Sequence, residues 1–416
     1  MKYKLEIIEK RIFSICVTVI LLVNLCIFPA MAETDRVDSI IGKMSLRDKI
    51  TQMFMVDFRQ WKDESGNLVD LTVINDDVKD LLKNYDFGAV ILFAENIKTT
   101  NETLALTKDM QRASIEGKGL PMIIATDQEG GSVYRLGSGT ALPGNMALTA
   151  TGNENYAYDA GAIIGKELSC LGINTALAPV VDVNNNPNNP VIGIRSFSDD
   201  AKIVGQYASK MIDGMSSTNV IGCAKHYPGH GDVATDSHFG LPVVNKSKAE
   251  LMSNELIPYK IAISKNIEMI MTAHILNPQL EISKKHSAKT GEDQSLPATM
   301  SPELVSGILK SELGFNGVVC TDAMNMKGVS DFWNEDEAVI NAINAGVDLI
   351  CMPTSLRSME DTAKLDTIIT SVSNAVSDGT ISIDRINDAC RRILKLKQSK
   401  GILDYNPDDY TIEKAH

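Results

Sequence analysis

Eight short apolar runs, each followed by a longer stretch, recur along this chain, and no other feature restricts its fold more. The runs are Met53 to Val56, Gly88 to Phe93, Met122 to Thr126, Thr175 to Val183, Val220 to Lys225, Met269 to His274, Gly317 to Thr321 and Val347 to Met352. Between them, Tyr156 to Leu171, Ala201 to Met215, Lys248 to Ser264 and Pro302 to Leu313 carry helical spacing. Gly172 and Gly314 stand where two of those helices should stop. Repeated strand-helix alternation implies a parallel sheet. Eight such units predict an α/β fold, a single closed (β/α)8 TIM barrel with no second C-terminal domain. An open doubly wound sheet is the competing architecture. Against it, no G-x-G-x-x-G follows the first strand, and polar clusters follow many strands rather than one switch point.

The polar excursions fit that plan. Asn184 to Pro190, reading N-N-N-P-N-N-P, is no helix and predicts an ordered loop at the barrel mouth. Asn277 to Ser301 is longer than a routine connection, and Lys284 to Gln294 within it reads as a mobile surface insertion. Arg385 to Lys397 is a basic amphipathic helix whose cations predict a solvated face.

The first residues are of another kind. Lys2, Lys4, Lys10 and Arg11 precede an apolar run from Ile12 to Phe28, and Ala30-Met31-Ala32 offers a small-x-small cleavage site. That is the pattern of a secretory signal peptide over residues 1–32, with residues 33–416 as the one folded domain. The run's length also leaves open a signal anchor, and Ile27 after Cys26 argues against lipidation. The chain's formal charge of −13 makes nucleic acid and anionic membrane surfaces poor partners. Beyond the leader, Cys170, Cys223, Cys320, Cys351 and Cys390 form no C-x-x-C pair. The apolar strand-like runs around Cys223, Cys320 and Cys351 predict buried thiols rather than disulfides or a metal site.

In a barrel, reactive groups gather at the C-terminal ends of the strands. Here those ends read Thr126-Asp127-Gln128-Glu129, Val181-Asp182, Lys225-His226, Ala273-His274 and Thr321-Asp322-Ala323-Met324. Lys225 and His226 sit at a strand's lip, because Pro228, Gly229 and Gly231 stop regular structure beyond them. Asp236 and His238, two apart in a bent loop, let a carboxylate orient an imidazole and stabilise its protonated form. Asp322 ends the apolar run G-V-V-C-T-D, where an unpaired carboxylate costs several kcal/mol, so it is compensated or used. The plainer alternatives are a solvated loop for Lys225, His226 and His238, and a helix-capping role for Asp322.

K-H-Y-P-G-H-G followed by D-S-H, together with T-D-A-M, resembles the signature of family 3 glycoside hydrolases of the β-N-acetylglucosaminidase type. The resemblance covers nearly all of the chain past the leader. It implies a retaining exo-β-N-acetylglucosaminidase, with Asp322 as nucleophile and His238, held by Asp236, as acid and then base. It also implies that Asp127, Arg135, Arg195, Lys225 and His226 bind the sugar, although a loop-fixing salt bridge serves Arg135 almost as well. The substrates implied are N-acetylglucosamine-containing oligosaccharides or muropeptides, acted on by a secreted or cell-wall-associated bacterial protein with no stable membrane association once the signal is cleaved. Phosphorolysis in place of hydrolysis, and a catalytically silent carbohydrate-binding barrel, are the competing functions.

The remaining polar residues read as structural. Glu129 is expected to be a partner inside its loop, His274 a hydrogen-bonded residue at the barrel mouth, His230 a brace for the loop carrying His238, and His286 a residue facing water. No H-E-x-x-H or similar spacing occurs, so no catalytic metal and no cofactor is expected.

Overall fold

The computed structural model describes residues 36–233 and 240–411. The chain divides at Ser45 into two compact units, and residues 36–43 of the first are helical. The second unit, from Leu46, holds the barrel. The expected signal segment and the Asp236–His238 pair lie outside the described residues.

The eight expected strands are present: β1 Phe54–Asp57, β2 Ala89–Leu92, β3 Ile123–Thr126, β4 Thr175–Ala176, β5 Ile221–Tyr227, β6 Met269–Thr272, β7 Val318–Thr321 and β8 Ile350–Cys351. Each pairs in parallel with its neighbours in chain order, and β1 also pairs with β8, Phe54 opposite Ile350. A parallel bridge between Cys320 and Leu349 joins the last two strands, so the sheet closes on itself. Every strand residue is buried, as a sheet with side chains inside and helices outside requires.

Around the barrel run the helices α1 Asp76–Asn84, α2 Thr100–Lys118, α3 Asn155–Cys170, α4 Ala201–Ser216, α5 Ile257–Ser264, α6 Glu303–Glu312, which is wound as a π-helix, α7 Glu335–Ala345, α8 Thr362–Ser377 and α9 Ile383–Ser399. Their ends follow local chemistry. Capping boxes start α2 (Thr99 with Glu102) and α7 (Asn334 with Glu337). Gly172 and Gly314, the two expected stops, have φ of 70° and 72°, a conformation glycine adopts without a steric penalty.

Four segments depart from the sequence reading. β4 is shorter than Thr175 to Val183 because Pro179 offers no N–H to the ladder, although the chain stays beside β5 through Val181 N–H to the Lys225 carbonyl at 2.8 Å. The expected helix from Lys248 to Ser264 is two, Lys248–Ser253 and α5, because Pro258 ends one and begins the next. Lys284 to Gln294 is an antiparallel hairpin, Lys284–Ser287 on Glu292–Ser295, fastened by Lys285 Nζ to Asn341 Oδ1 at 2.9 Å and by the Ala288 N–H to Glu337 Oε1 at 2.8 Å. Finally, α9 does not keep all its cations in water: Lys397 is fully buried on Gln52 Oε1, and Arg385 pairs with buried Asp348. The asparagine-rich loop is ordered as expected, with Asn189 Nδ2 donating to the His230 carbonyl at 2.7 Å. The cysteines of this unit are free, and Cys223, Cys320, Cys351 and Cys390 are buried. No described helix is long and apolar enough to cross a membrane.

Candidate active site

The strand ends converge on a cleft of about 820 Å³ with a smaller inner lobe of about 210 Å³. Asp127, Arg135, Met271 and Asp322 line both. The inner lobe owes its lining to a bulge. Lys225 lies opposite Met271 and Tyr227 opposite Thr272, so His226 is an extra residue in β5. In a regular strand consecutive side chains point to opposite faces. The bulge re-aims one of them, and Lys225 and His226 both reach the inner lobe.

An ion network spans three strand ends. Lys225 Nζ lies 2.7 Å from Asp127 Oδ1 and 2.8 Å from Glu129 Oε1. Arg195 grips the same Glu129 with both arms, Nε to Oε2 at 2.9 Å and Nη2 to Oε1 at 2.8 Å, while its Nη1 donates to the Val191 carbonyl at 3.1 Å. Burial alone would raise the Glu129 pKa, but Lys225 and Arg195 outweigh it and hold the carboxyl at about 2. Burial alone would lower that of Lys225, but Asp127 and Glu129 outweigh it and raise it. Glu129, Arg195 and Lys225 are therefore charged near neutrality. Lys225 keeps one of its three protons for a ligand. Arg135 Nη2 stands 3.6 Å from the other Asp127 oxygen, Oδ2.

Beside this network is a second one. Asp182 at the end of the β4 segment is fully buried and accepts the His226 N–H with both oxygens at 3.2 Å, the His226 ring at 2.7 Å and the His230 N–H at 2.6 Å. A carboxylate can only accept, so His226 carries a proton on Nδ1 and turns Nε2 away from Asp182. Burial raises the Asp182 pKa, and His226 and His230 more than reverse it. His230 also lines the inner lobe, edge-on to His226 at 6.1 Å between ring centroids. Burial keeps its pKa below the usual value despite Asp182.

Asp322 follows β7, half-buried, its backbone N–H bonded to the Thr272 carbonyl at 3.0 Å. The Ala323 N–H donates to Oδ1 at 2.7 Å, and among the described residues no hydrogen bond reaches Oδ2. Burial would raise its pKa. The positive potential of His226 and His274, the Ala323 N–H and Lys225 together lower it. An ionised carboxylate with one oxygen tied and the other open has the features that nucleophilic attack requires.

Thus Asp127, Arg135, Arg195, Lys225, His226 and Asp322, read from distant parts of the sequence, meet around one cavity. Asp236 and His238 lie outside the described residues. Glu129 serves as a structural partner across loops rather than inside its own. His286 faces water beside Asp293, as expected. Asp182 received no role from sequence, although a carboxylate closing the run Val180-Val181-Asp182 is the same signal that marked Asp322. Arg59 and Phe93 were also missed: the Arg59 guanidinium carbon sits 3.5 Å from the Phe93 ring centroid in the outer cleft wall. Among the described residues no group of three or more His, Cys, Asp or Glu side chains is placed to hold a metal ion.

Residues 45–396 match the Glycosyl hydrolase family 3 N terminal domain. The chain belongs to glycosyl hydrolase family 3. Within that family it is 39% identical to beta-hexosaminidase A of Pseudoalteromonas piscicida, over 83% of this chain and 60% of the relative. A family 3 beta-N-acetylglucosaminidase structure from Paenibacillus superposes with a TM-score of 0.77 at 36% identity, covering 87% of this chain and 64% of that one. A beta-N-acetylhexosaminidase structure from Beutenbergia cavernae gives 0.72 at 26% identity, covering 86% of this chain and 99% of that one. The chain therefore spans less than two thirds of the first two relatives and nearly all of the third.

Proposed function

We propose that this family 3 barrel is a retaining exo-β-N-acetylglucosaminidase that removes terminal non-reducing N-acetylglucosamine from peptidoglycan fragments and related glycans. One observation carries the reading: the ionised, half-tied Asp322 faces an inner lobe walled by Asp127, Lys225, His226 and Arg135. Hydroxyl-rich ligands need such a mixture of fixed acceptors and donors. The names of the Pseudoalteromonas and Paenibacillus relatives support the 2-acetamido sugar.

In the first step Asp322 Oδ2 attacks the anomeric carbon as the bond to the leaving oxygen breaks. His238, with Asp236 behind it, gives that oxygen a proton. In the second step water attacks the same carbon, His238 takes the water's proton, and Asp322 departs as carboxylate. Asp127 accepts from sugar hydroxyls, while the free Lys225 proton and the inward side of His226 hold the ring as positive charge grows on it.

The outer cleft supports a peptidoglycan aglycone. Arg59, Lys98, Arg135 and Lys327 line it beside Glu95, Asp127 and Asp322, a mixed rim with one cation in excess on an acidic chain. Carboxylates on a lactyl or peptide stem suit that rim. The basic, then apolar, first residues support export, with removal of 1–32. N-terminal sequencing of the exported protein tests this.

Purified muropeptides and a chromogenic N-acetylglucosaminide, each with and without phosphate, test the activity. Free N-acetylglucosamine of retained anomeric configuration, at a rate indifferent to phosphate and lost in Asp322→Ala, is expected. Sugar-1-phosphate would establish phosphorolysis instead, and turnover by Asp322→Ala equal to wild type would overturn the assignment.

A further inference from the structure

His274, at the end of β6, is fully buried and was expected only to satisfy its own hydrogen bonds. Its contacts lead to the nucleophile. Nε2 is 3.0 Å from the Ala323 carbonyl, and Nδ1 is 2.9 Å from Thr299 Oγ1. A carbonyl can only accept, so the Nε2 proton is fixed there. The same carbonyl takes the Met326 N–H at 3.1 Å, and the Met324 N–H is held by the Cys351 carbonyl at 3.0 Å. On the other side, the Asp322 N–H is held by the Thr272 carbonyl. The peptide between these two pinned ones is the one whose N–H donates to Asp322 Oδ1.

We propose that His274 is a positioning residue for the nucleophile: by holding the Ala323 carbonyl it aims the Ala323 N–H at Oδ1 and leaves Oδ2 as the attacking oxygen. This rests on the reading of Asp322 as nucleophile. A carboxylate free to rotate presents either oxygen off the line of attack, and misplacement by an ångström is costly. The ring's contact with Thr299 fixes its tilt. Thr299 Oγ1 in turn lies 3.0 Å from the Ala273 carbonyl and 3.0 Å from Thr272 Oγ1, so the ring is braced by its own strand.

Two amides separate this role from a structural one. In His274→Gln the side-chain NH₂ reaches the Nε2 position and keeps the bond to Ala323. In His274→Asn the amide stops near the Nδ1 position and keeps only the side toward Thr299. The probe is a 5-fluoro-N-acetylglucosaminyl fluoride, whose sugar accumulates on the attacking residue, read by mass spectrometry of peptides alongside Tm and steady-state kinetics. His274→Asn is expected to label Asp322 about 100-fold more slowly than wild type with KM within about twofold, and His274→Gln within about fivefold of wild type. Equal rates in all three proteins overturn the proposal. So do equal losses in both variants tracking a fall in Tm, which assign His274 to stability alone. A wild-type protein labelled elsewhere than Asp322 removes the nucleophile reading and the positioning role together.

Discussion

Asp182 holds His226 at two points, accepting its backbone N–H at 3.2 Å and its ring Nδ1–H at 2.7 Å. The tautomer that turns Nε2 away from the carboxylate is thus set by a residue that never lines the pocket itself. Asp182→Asn offers an NH₂ where an acceptor is needed and favours the opposite tautomer. Turnover of an N-acetylglucosaminide should fall about tenfold to a hundredfold, from about 1–3 kcal/mol for a buried polar group left unsatisfied. Kinetics with a circular dichroism check decide it, and unchanged kcat/KM would remove His226 from the sugar site.

Glu129 governs acid stability. Its carboxyl titrates at about 2 rather than the ordinary 4.5. A depressed folded pKa means stability that is fully present above 4.5 and is lost as pH falls toward 2. Glu129→Gln should therefore cost roughly 3 kcal/mol at pH 7, where Arg195 and Lys225 lose a buried counter-charge. The difference from wild type should shrink between pH 4.5 and 2. Urea unfolding across that range tests the slope, and a pH-independent difference would contradict the ion network.

Lys397 gives the same slope at the opposite extreme of pH, although its buried charge destabilises where that of Glu129 stabilises. Burial, only partly offset by Asp86, lowers its pKa to about 8. Between 8 and 10.5 the unfolded chain binds more protons, so this group makes stability rise with pH. Lys397→Met should flatten that rise in melts taken from pH 8 to 10.5. A steeper rise would refute the burial.

Arg59 is expected to discriminate among aglycones. Stacked on Phe93, with Asp57 Oδ2 as its carboxylate neighbour at 3.8 Å, it has donors to spare for a carboxylate. Arg59→Ala should raise KM for an anionic muropeptide about fivefold to thirtyfold, from about 1–2 kcal/mol per charge-assisted bond. The aryl glycoside should be unaffected. Equal losses on both substrates would place Arg59 in the scaffold.

How much of the molecule was legible in the sequence depends on where each feature has its cause. The barrel was, because eight apolar runs with helical spacers admit few closed arrangements. Asp322 and Lys225 were, because charge at the end of an apolar strand is conspicuous. Asp182 carried the same mark, but its role lies in partners on the neighbouring strand and the loop after it, His226 and His230, which no spacing reveals. The strand pairing within the Lys284 surface insertion was not legible because its polar residues carry no alternation of faces. Its order comes from Asn341 and Glu337 on α7. Lys397 looked solvated because a basic helix pattern does not say which turn lies over Gln52.

The irregular step in β5 has one more implication. Removing a single residue there would restore a straight ladder, and in doing so would send either Lys225 or His226 to the helix side. The chain could still roll into its cylinder while losing one polar wall of its inner lobe. Architecture and chemistry come apart at that one spare residue.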